Sequence, residues 1–207
     1  MSTSPEIRTV VQMKPKPKRD PNKPKDPNRQ RIGRSCKAKG STFERLVAKK
    51  LLDAAGEPFT KADCYRTPMS GGHEYAGEFD LVTSEAFQKV FPFGAEMKHR
   101  KNFKIEQMFE MTAEIRGYHE QVTKSCSDYT ATTTRSLAPI IVIRANGGPL
   151  YCAAPAKAFA EFSSYLGHAP GIIYKFDGSW WKMILLDRFL DALGIKCESA
   201  RHRTEAA

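Results

Sequence analysis

Apolar positions take up a rhythm at Ser41. Phe43, Leu46, Val47, Leu51 and Ala54 recur at helical spacing, and Gly56 and Pro58 then punctuate the chain, so a first helix is expected between them. Residues 64–67 and 79–83 have the short, alternating pattern of strands, with a glycine-rich loop at 69–77 between them. A third strand is expected at 94–98. Ile105, Met108, Phe109, Thr112, Ile115 and Val122 then line one face of a second helix, followed by a polar surface loop at 124–136. Residues 139–144 read as a buried strand, with a turn at Asn146-Gly147-Gly148 and a hairpin partner at 150–153. Pro155, Phe159, Phe162 and Leu166 mark a third helix. Residues 171–176 and 180–184 form a second hairpin across Asp177-Gly178, and Asp187 caps a short last helix through Leu193. Helix, three strands, helix, then further strands and helices predict a mixed α/β domain.

Before Ser41 the pattern disappears. Residues 14–34 are Lys, Pro, Arg, Asp and Asn with Ile32 as the apolar exception, too little to offset the entropy of ordering. Residues 1–38 are therefore expected to be a disordered, semi-extended basic arm, followed by a domain at 39–207 with a core at 39–145 and a C-terminal extension at 146–207. Charge sharpens this division. The chain carries +10 overall, but residues 1–40 hold 12 basic and 3 acidic side chains, and the remainder is almost balanced. A uniformly basic coat protein is excluded. The arm points first to nucleic acid and second to an acidic membrane surface. Apolar runs such as 140–143 and 183–186 fall far short of the ~18–20 residues that span a bilayer. Five scattered cysteines without a Cys-x-x-Cys pair argue against a disulfide scaffold or a zinc ribbon. With no apolar stretch resembling a signal peptide, the expected setting is cytoplasmic: a bacterial, archaeal or phage-infected cell.

The chemistry concentrates at Asp80, Glu96 and Lys98. Residues two apart on a strand share a face, so Glu96 and Lys98 should stand side by side, with a paired strand bringing Asp80 across. Two close carboxylates repel unless neutralised, and a hard divalent cation such as Mg²⁺ does so through oxygen ligands while keeping water positions open. Lys98 would position a water or stabilise phosphate charge; a lysine with an ordinary pKa near ~10.4 is a poor base at neutral pH. The alternative for this trio is a solvated salt-bridge face. Glu44 has its own alternative, since Ser41-x-x-Glu44 fits a capping box. The glycines of Met69-Ser70-Gly71-Gly72-His73 either mark a turn or let backbone N–H groups approach a phosphate. Arg66, His73, Arg100, Lys101 and Lys104 are candidate DNA contacts. His99 should face away from Lys98, His119 should sit near a helix C-terminus in a favourable dipole contact, and Trp180 and Trp181 should divide between surface and core.

In this order, Gly40-Ser41-x-Phe43-Glu44-Arg45, Ser70-Gly71-Gly72, Gly77-x-x-Asp80, Glu96-x-Lys98 and Glu106-Gln107 resemble the PD-(D/E)XK nuclease superfamily. The likeness covers residues 39–122, with an echo at 140–144, and is greatest to archaeal-type Holliday junction resolvases and their phage relatives. Phe79 stands where that family usually has Pro or Gly. The resemblance implies a restriction-endonuclease-like αβββαβ core. It implies that Asp80, Glu96 and the Met97 carbonyl bind Mg²⁺, with Mn²⁺ as a possible substitute. Glu44 would assist the metal or its water, Lys98 would act on the nucleophile, Ser70 would match a catalytic-loop serine, and Arg45 would contact the DNA backbone.

The expected function is a Mg²⁺-dependent endonuclease, a homodimer hydrolysing phosphodiesters in branched DNA. The rivals are a nuclease for linear or duplex DNA, restriction-like or exonucleolytic, and a catalytically silent DNA-binding protein.

Overall fold

A computed structural model describes residues 27–68 and 79–205. The order is α1 (Pro27–Ala55), β1 (Cys64–Arg66), β2 (Leu81–Thr83), α2 (Glu85–Val90), β3 (Phe93–Arg100), α3 (Glu106–Glu110), α4 (Ala113–Thr132), β4 (Ala138–Ala145) and β5 (Leu150–Pro155). It continues with α5 (Ala156–Phe162), α6 (Ser164–His168), β6 (Ile172–Phe176), β7 (Ser179–Leu185) and α7 (Leu186–Glu205). Five strands form a mixed sheet in the order β3-β4-β5-β7-β6, with β3 and β4 parallel and the other pairs antiparallel. Strands β1 and β2 make a separate antiparallel ribbon. The mixed α/β class is as expected.

Side-chain alternation on β4 shows how the layers form. Ile140 and Val142 join Phe43, Val47 and Leu51 of α1, Phe159 and Phe162 of α5, and Phe189 and Leu193 of α7 in one core. Ile141 and Ile143 face the other way and pack with Met108, Ile115 and Val122 of α3 and α4. A strand buried on both faces has to be apolar at every position, which is why its sequence reads as a continuous run. Helices thus cover both sides of the sheet.

Several boundaries differ from the sequence reading. Helix α1 begins at Pro27, so residues 27–38, assigned to the arm, are helical. Pro27 suits a first helical position, and the Arg, Gln, Lys and Ala that follow are good helix formers even though residues 35–39 are exposed. Ser41 therefore lies inside the helix, and the capping box does not form. Between the strands of Asp80 and Glu96, residues 85–90 fold as α2, capped by Ser84 Oγ, which accepts the Phe87 N–H at 3.1 Å. The second helix is two: Met111 at φ 46° separates α3 from α4. Residues 124–132 are not a loop but the last turns of α4, because Ser125 and Cys126 are buried and Thr130 and Thr132 hydroxyls bond to carbonyls on the preceding turn. The third helix breaks into α5 and α6 at Ser163, and α7 continues well past Leu193. Both hairpins form, the second through Asp177 and Gly178 at φ 45° and 76°. Trp181 is core and Trp180 exposed.

Among the described residues, no helix is long and apolar enough to cross a membrane.

Candidate active site

Strand β3 is an edge of the five-stranded sheet, and the start of β2 meets it there. The Asp80 N–H donates to the Ala95 carbonyl at 3.0 Å, and the Met97 N–H donates to Asp80 Oδ2 at 2.6 Å. From the other side, Thr67 N–H bonds to the Asp80 carbonyl at 3.0 Å and the Thr67 hydroxyl to the Phe79 carbonyl at 2.6 Å. These four contacts hold Asp80 beside the middle of β3. Asp80 thus reaches β3 from the short β1–β2 ribbon, whose two strands pair with each other rather than within the five-stranded sheet.

Gly94 makes this approach possible. A Cβ there would lie 2.2 Å from the Phe79 ring, which packs directly on the glycine. Phe79 is buried with Cys126 and Leu137, so the residue before Asp80 is an apolar anchor.

Glu96 is 3% exposed and Glu44 9%. Glu96 pairs with Lys98 on the same face of β3, as the strand period requires, and Lys98 Nζ also donates to Gln121 Oε1 of α4 at 3.1 Å. The ammonium lies 5.0 Å from the centre of the Tyr118 ring. Glu44 comes from α1 and pairs with Arg66 of β1. Burial, then repulsion from Glu96, raises the Asp80 carboxyl to about 7, with Glu44 adding to the effect. Burial also raises Glu96, opposed by Lys98 and by a hydrogen bond from Gln121, while Glu44 raises it further. Three carboxylates thus share one electrostatic environment.

The donors are hard oxygens that resist ionising together, which is the chemistry a divalent cation relieves. Among the described residues, no three His, Cys, Asp or Glu side chains are gathered tightly enough to hold a metal ion. Glu44 is held by Arg66, leaving Asp80 and Glu96 as the fitting pair, with Met97 between them in the backbone.

The other candidates are placed as follows. Arg45 is exposed on α1 and lines, with Tyr65 and Arg66, an open groove between α1 and β1. Arg100 pairs with Glu114 at 3.0 Å and with the Tyr118 hydroxyl, and together with Lys101 borders a cavity of about 280 Å³. Lys104 is exposed nearby. Ser70 and His73 lie outside the described residues. His119 is not at a helix end: it is fully buried within α4, bonded to the Ile115 carbonyl and the Tyr174 hydroxyl, each at 2.9 Å. A histidine three turns from the helix terminus has no dipole role, and its apolar neighbours were not visible in the local sequence.

Gln121, Tyr118, Thr67 and Gly94 complete the surroundings of the carboxylates and were missed. Their signal was faint: Tyr118 and Gln121 are three apart on a helix face that also carries Ile115 and Val122.

The class defined by this fold and site is an α/β protein with acids from α1, the start of β2 and the edge strand β3 gathered beside a lysine. A family model described as phage putative PDDEXK endonuclease matches residues 35–175, and the chain belongs to that family. No curated protein and no solved structure matches the chain.

Proposed function

We propose that this nuclease is a Mg²⁺-dependent endonuclease that hydrolyses phosphodiesters in branched DNA, in the manner of a Holliday junction resolvase. The observation that carries the reading is the convergence of Asp80, Glu96 and Glu44 at one edge of the sheet, with Lys98 paired to Glu96. Asp80, Glu96 and the Met97 carbonyl would hold the cation, whose bound state supplies an acidified water and charge neutralisation at the phosphate. Lys98 has its ammonium steered by Gln121 and Tyr118, so it orients the nucleophile or stabilises developing phosphate charge. Asp80 must be ionised to serve as a ligand, and its raised proton affinity makes that step pH-sensitive near neutrality. Glu44 and Arg66 form a pair that can open toward the water and the strand. Ser70 and Arg45 take the roles the resemblance implies, and Arg66, His73, Arg100, Lys101 and Lys104 contact the backbone. The basic segment at 1–38 adds sequence-independent affinity.

Cleavage of labelled linear, forked and four-way DNA in Mg²⁺ tests the proposal. Paired nicks on the four-way junction, lost in Glu96→Gln while binding persists, are the expected result, with a homodimer placing two sites. Cutting of linear duplex instead would move the assignment to a restriction-like or exonuclease role. Intact substrates throughout would leave a DNA-binding protein.

A further inference from the structure

On the face of β3 opposite Lys98, a second group of cations stands around an open groove. Strands β3 and β4 are parallel and in register, so His99 and Arg144 are neighbours at the C-terminal ends of the pair. Ligands in α/β proteins collect at such strand ends, where the sheet's apolar rows give way to loops. Here the apolar row on this face, Met97 and Val142, gives way to His99 and Arg144. Helix α1 forms the other wall through Ser35, Lys39 and Thr42, enclosing about 290 Å³. Among the described residues, no carboxylate lines the groove.

Two features lack an internal explanation. His99 Nδ1 is buried and has no hydrogen-bond partner among the described residues, while its ring rests on Phe43 at 5.4 Å between centroids. Lys39 and Arg144 both line the groove, and with no carboxylate among its described lining residues an external anion would neutralise them. Lys39 and Arg144 form no ion pair with a described carboxylate; Arg144 Nε donates to the Gly148 carbonyl at 3.3 Å.

We infer that the groove between the N-terminal half of α1 and the β3–β4 strand ends, with Lys39, His99, Arg144, Ser35 and Thr42, is a phosphate-binding subsite that takes a backbone phosphate of the DNA. The strand would run past β3, with one phosphate near Glu96 and Lys98 and another held between α1 and the β3–β4 strand ends. The assignment rests on the reading above only for the identity of the polyanion. A free phosphate or mononucleotide offers the same chemistry.

The test uses the full chain with Lys39→Gln, Arg144→Gln and the double variant, all at partly or fully exposed positions, with melting curves to confirm folding. Fluorescence anisotropy with labelled four-way junction and duplex, in EDTA over a salt series, reads the DNA source. The double variant is expected to bind about five- to tenfold more weakly on both DNAs, with the salt slope reduced by about 1–2. A parallel titration of wild type with inorganic phosphate and dAMP, followed by NMR of His99, reads the free-anion source. Saturable shifts at His99, abolished in the double variant and accompanied by unchanged DNA affinity, would keep the phosphate site but assign it to a free anion. Unchanged DNA affinity and slope, with no saturable shift, would overturn the inference. Cleavage by the same variants at saturating DNA should equal wild type. If wild type cuts nothing yet the anisotropy effect appears, the nuclease reading fails and the subsite stands.

Discussion

The Met97 backbone N–H donates to Asp80 Oδ2 at 2.6 Å, so the edge strand of the sheet itself holds one of the site's acids. An exposed edge presents unpaired N–H groups that invite another strand. Here Asp80 satisfies one of them and stands beside Glu96 as a result. The bond lowers the proton affinity of Asp80, but burial and Glu96 outweigh it and leave the group at about 7.

That balance predicts how metal and pH act together. A carboxyl whose folded pKa is raised from ~3.9 contributes stability below the unfolded value, and that contribution is lost as pH rises through about 7. The metal-free protein should therefore melt lower at pH 8 than at pH 6 through this group. Added Mg²⁺ should raise the melting temperature more at pH 8. Asp80→Asn should remove cleavage and stabilise the metal-free protein at pH 8 by about 1–3 kcal/mol, the scale of relieving a buried uncompensated group. Thermal shift assays with EDTA and Mg²⁺ at both pH values check each part; equal metal shifts at the two would contradict it.

Gly94→Ala should be costly although it adds one methyl group. Its Cβ would sit 2.2 Å from the Phe79 ring and 2.9 Å from Cys126 Sγ, so the ring has to leave and Asp80 follows it. Overpacking of this kind costs about 1–3 kcal/mol. Urea denaturation should show that loss, and cleavage should fall at least tenfold. Phe79→Ala in the Gly94→Ala background should cost less than Phe79→Ala alone, because the two share one space. Additive losses would mean that the ring does not depend on the glycine.

Gln121 links both members of the Glu96–Lys98 pair from α4. Its removal leaves Lys98 over the Tyr118 ring but free to rotate. Gln121→Ala should lower kcat about tenfold or more with little change in KM, while Gln121→Glu should shift the pH profile of kcat by adding a fourth acid to the site. Single-turnover kinetics across pH 6–9 would separate this positioning role from a loss of folding, which would reduce the active fraction without moving the profile.

The parts of the site that were legible are those set by strand periodicity. Glu96 and Lys98 share a face because they are two apart, and the hairpin turns at Gly147 and Asp177-Gly178 followed from turn chemistry alone. What stayed hidden depends on tertiary contact. Glu44 fits a capping box in one dimension, yet α1 extends to Pro27 and its carboxylate turns to Arg66, 22 residues away. Residues 124–132 look like a loop because Ser and Thr dominate, whereas burial of Cys126 keeps them helical. Propensity is a weak prior when a helix has a core to pack against.

His119 supplies a prediction for stability away from the carboxylates. A carbonyl can only accept, so Nδ1 carries the proton toward Ile115, and Nε2 accepts from the Tyr174 hydroxyl. The ring is therefore neutral, and its proton affinity is lowered by burial against Phe176 and Trp181. A histidine with a depressed folded pKa contributes stability above its unfolded value near ~6.5, and that contribution is lost as pH falls toward the folded value. The His119 contribution should thus be lost from pH 7 to pH 5, one proton being taken up by this ring on unfolding, against the opposite trend from Asp80, so it is read as the difference between wild type and a variant without the imidazole. His119→Gln offers the same two hydrogen-bonding groups without the titration and should remove that loss, at a cost of about 1–3 kcal/mol at pH 7 for imperfect packing. Urea melts of both proteins across this range decide it: parallel pH dependences would show that His119 does not govern the acid limb.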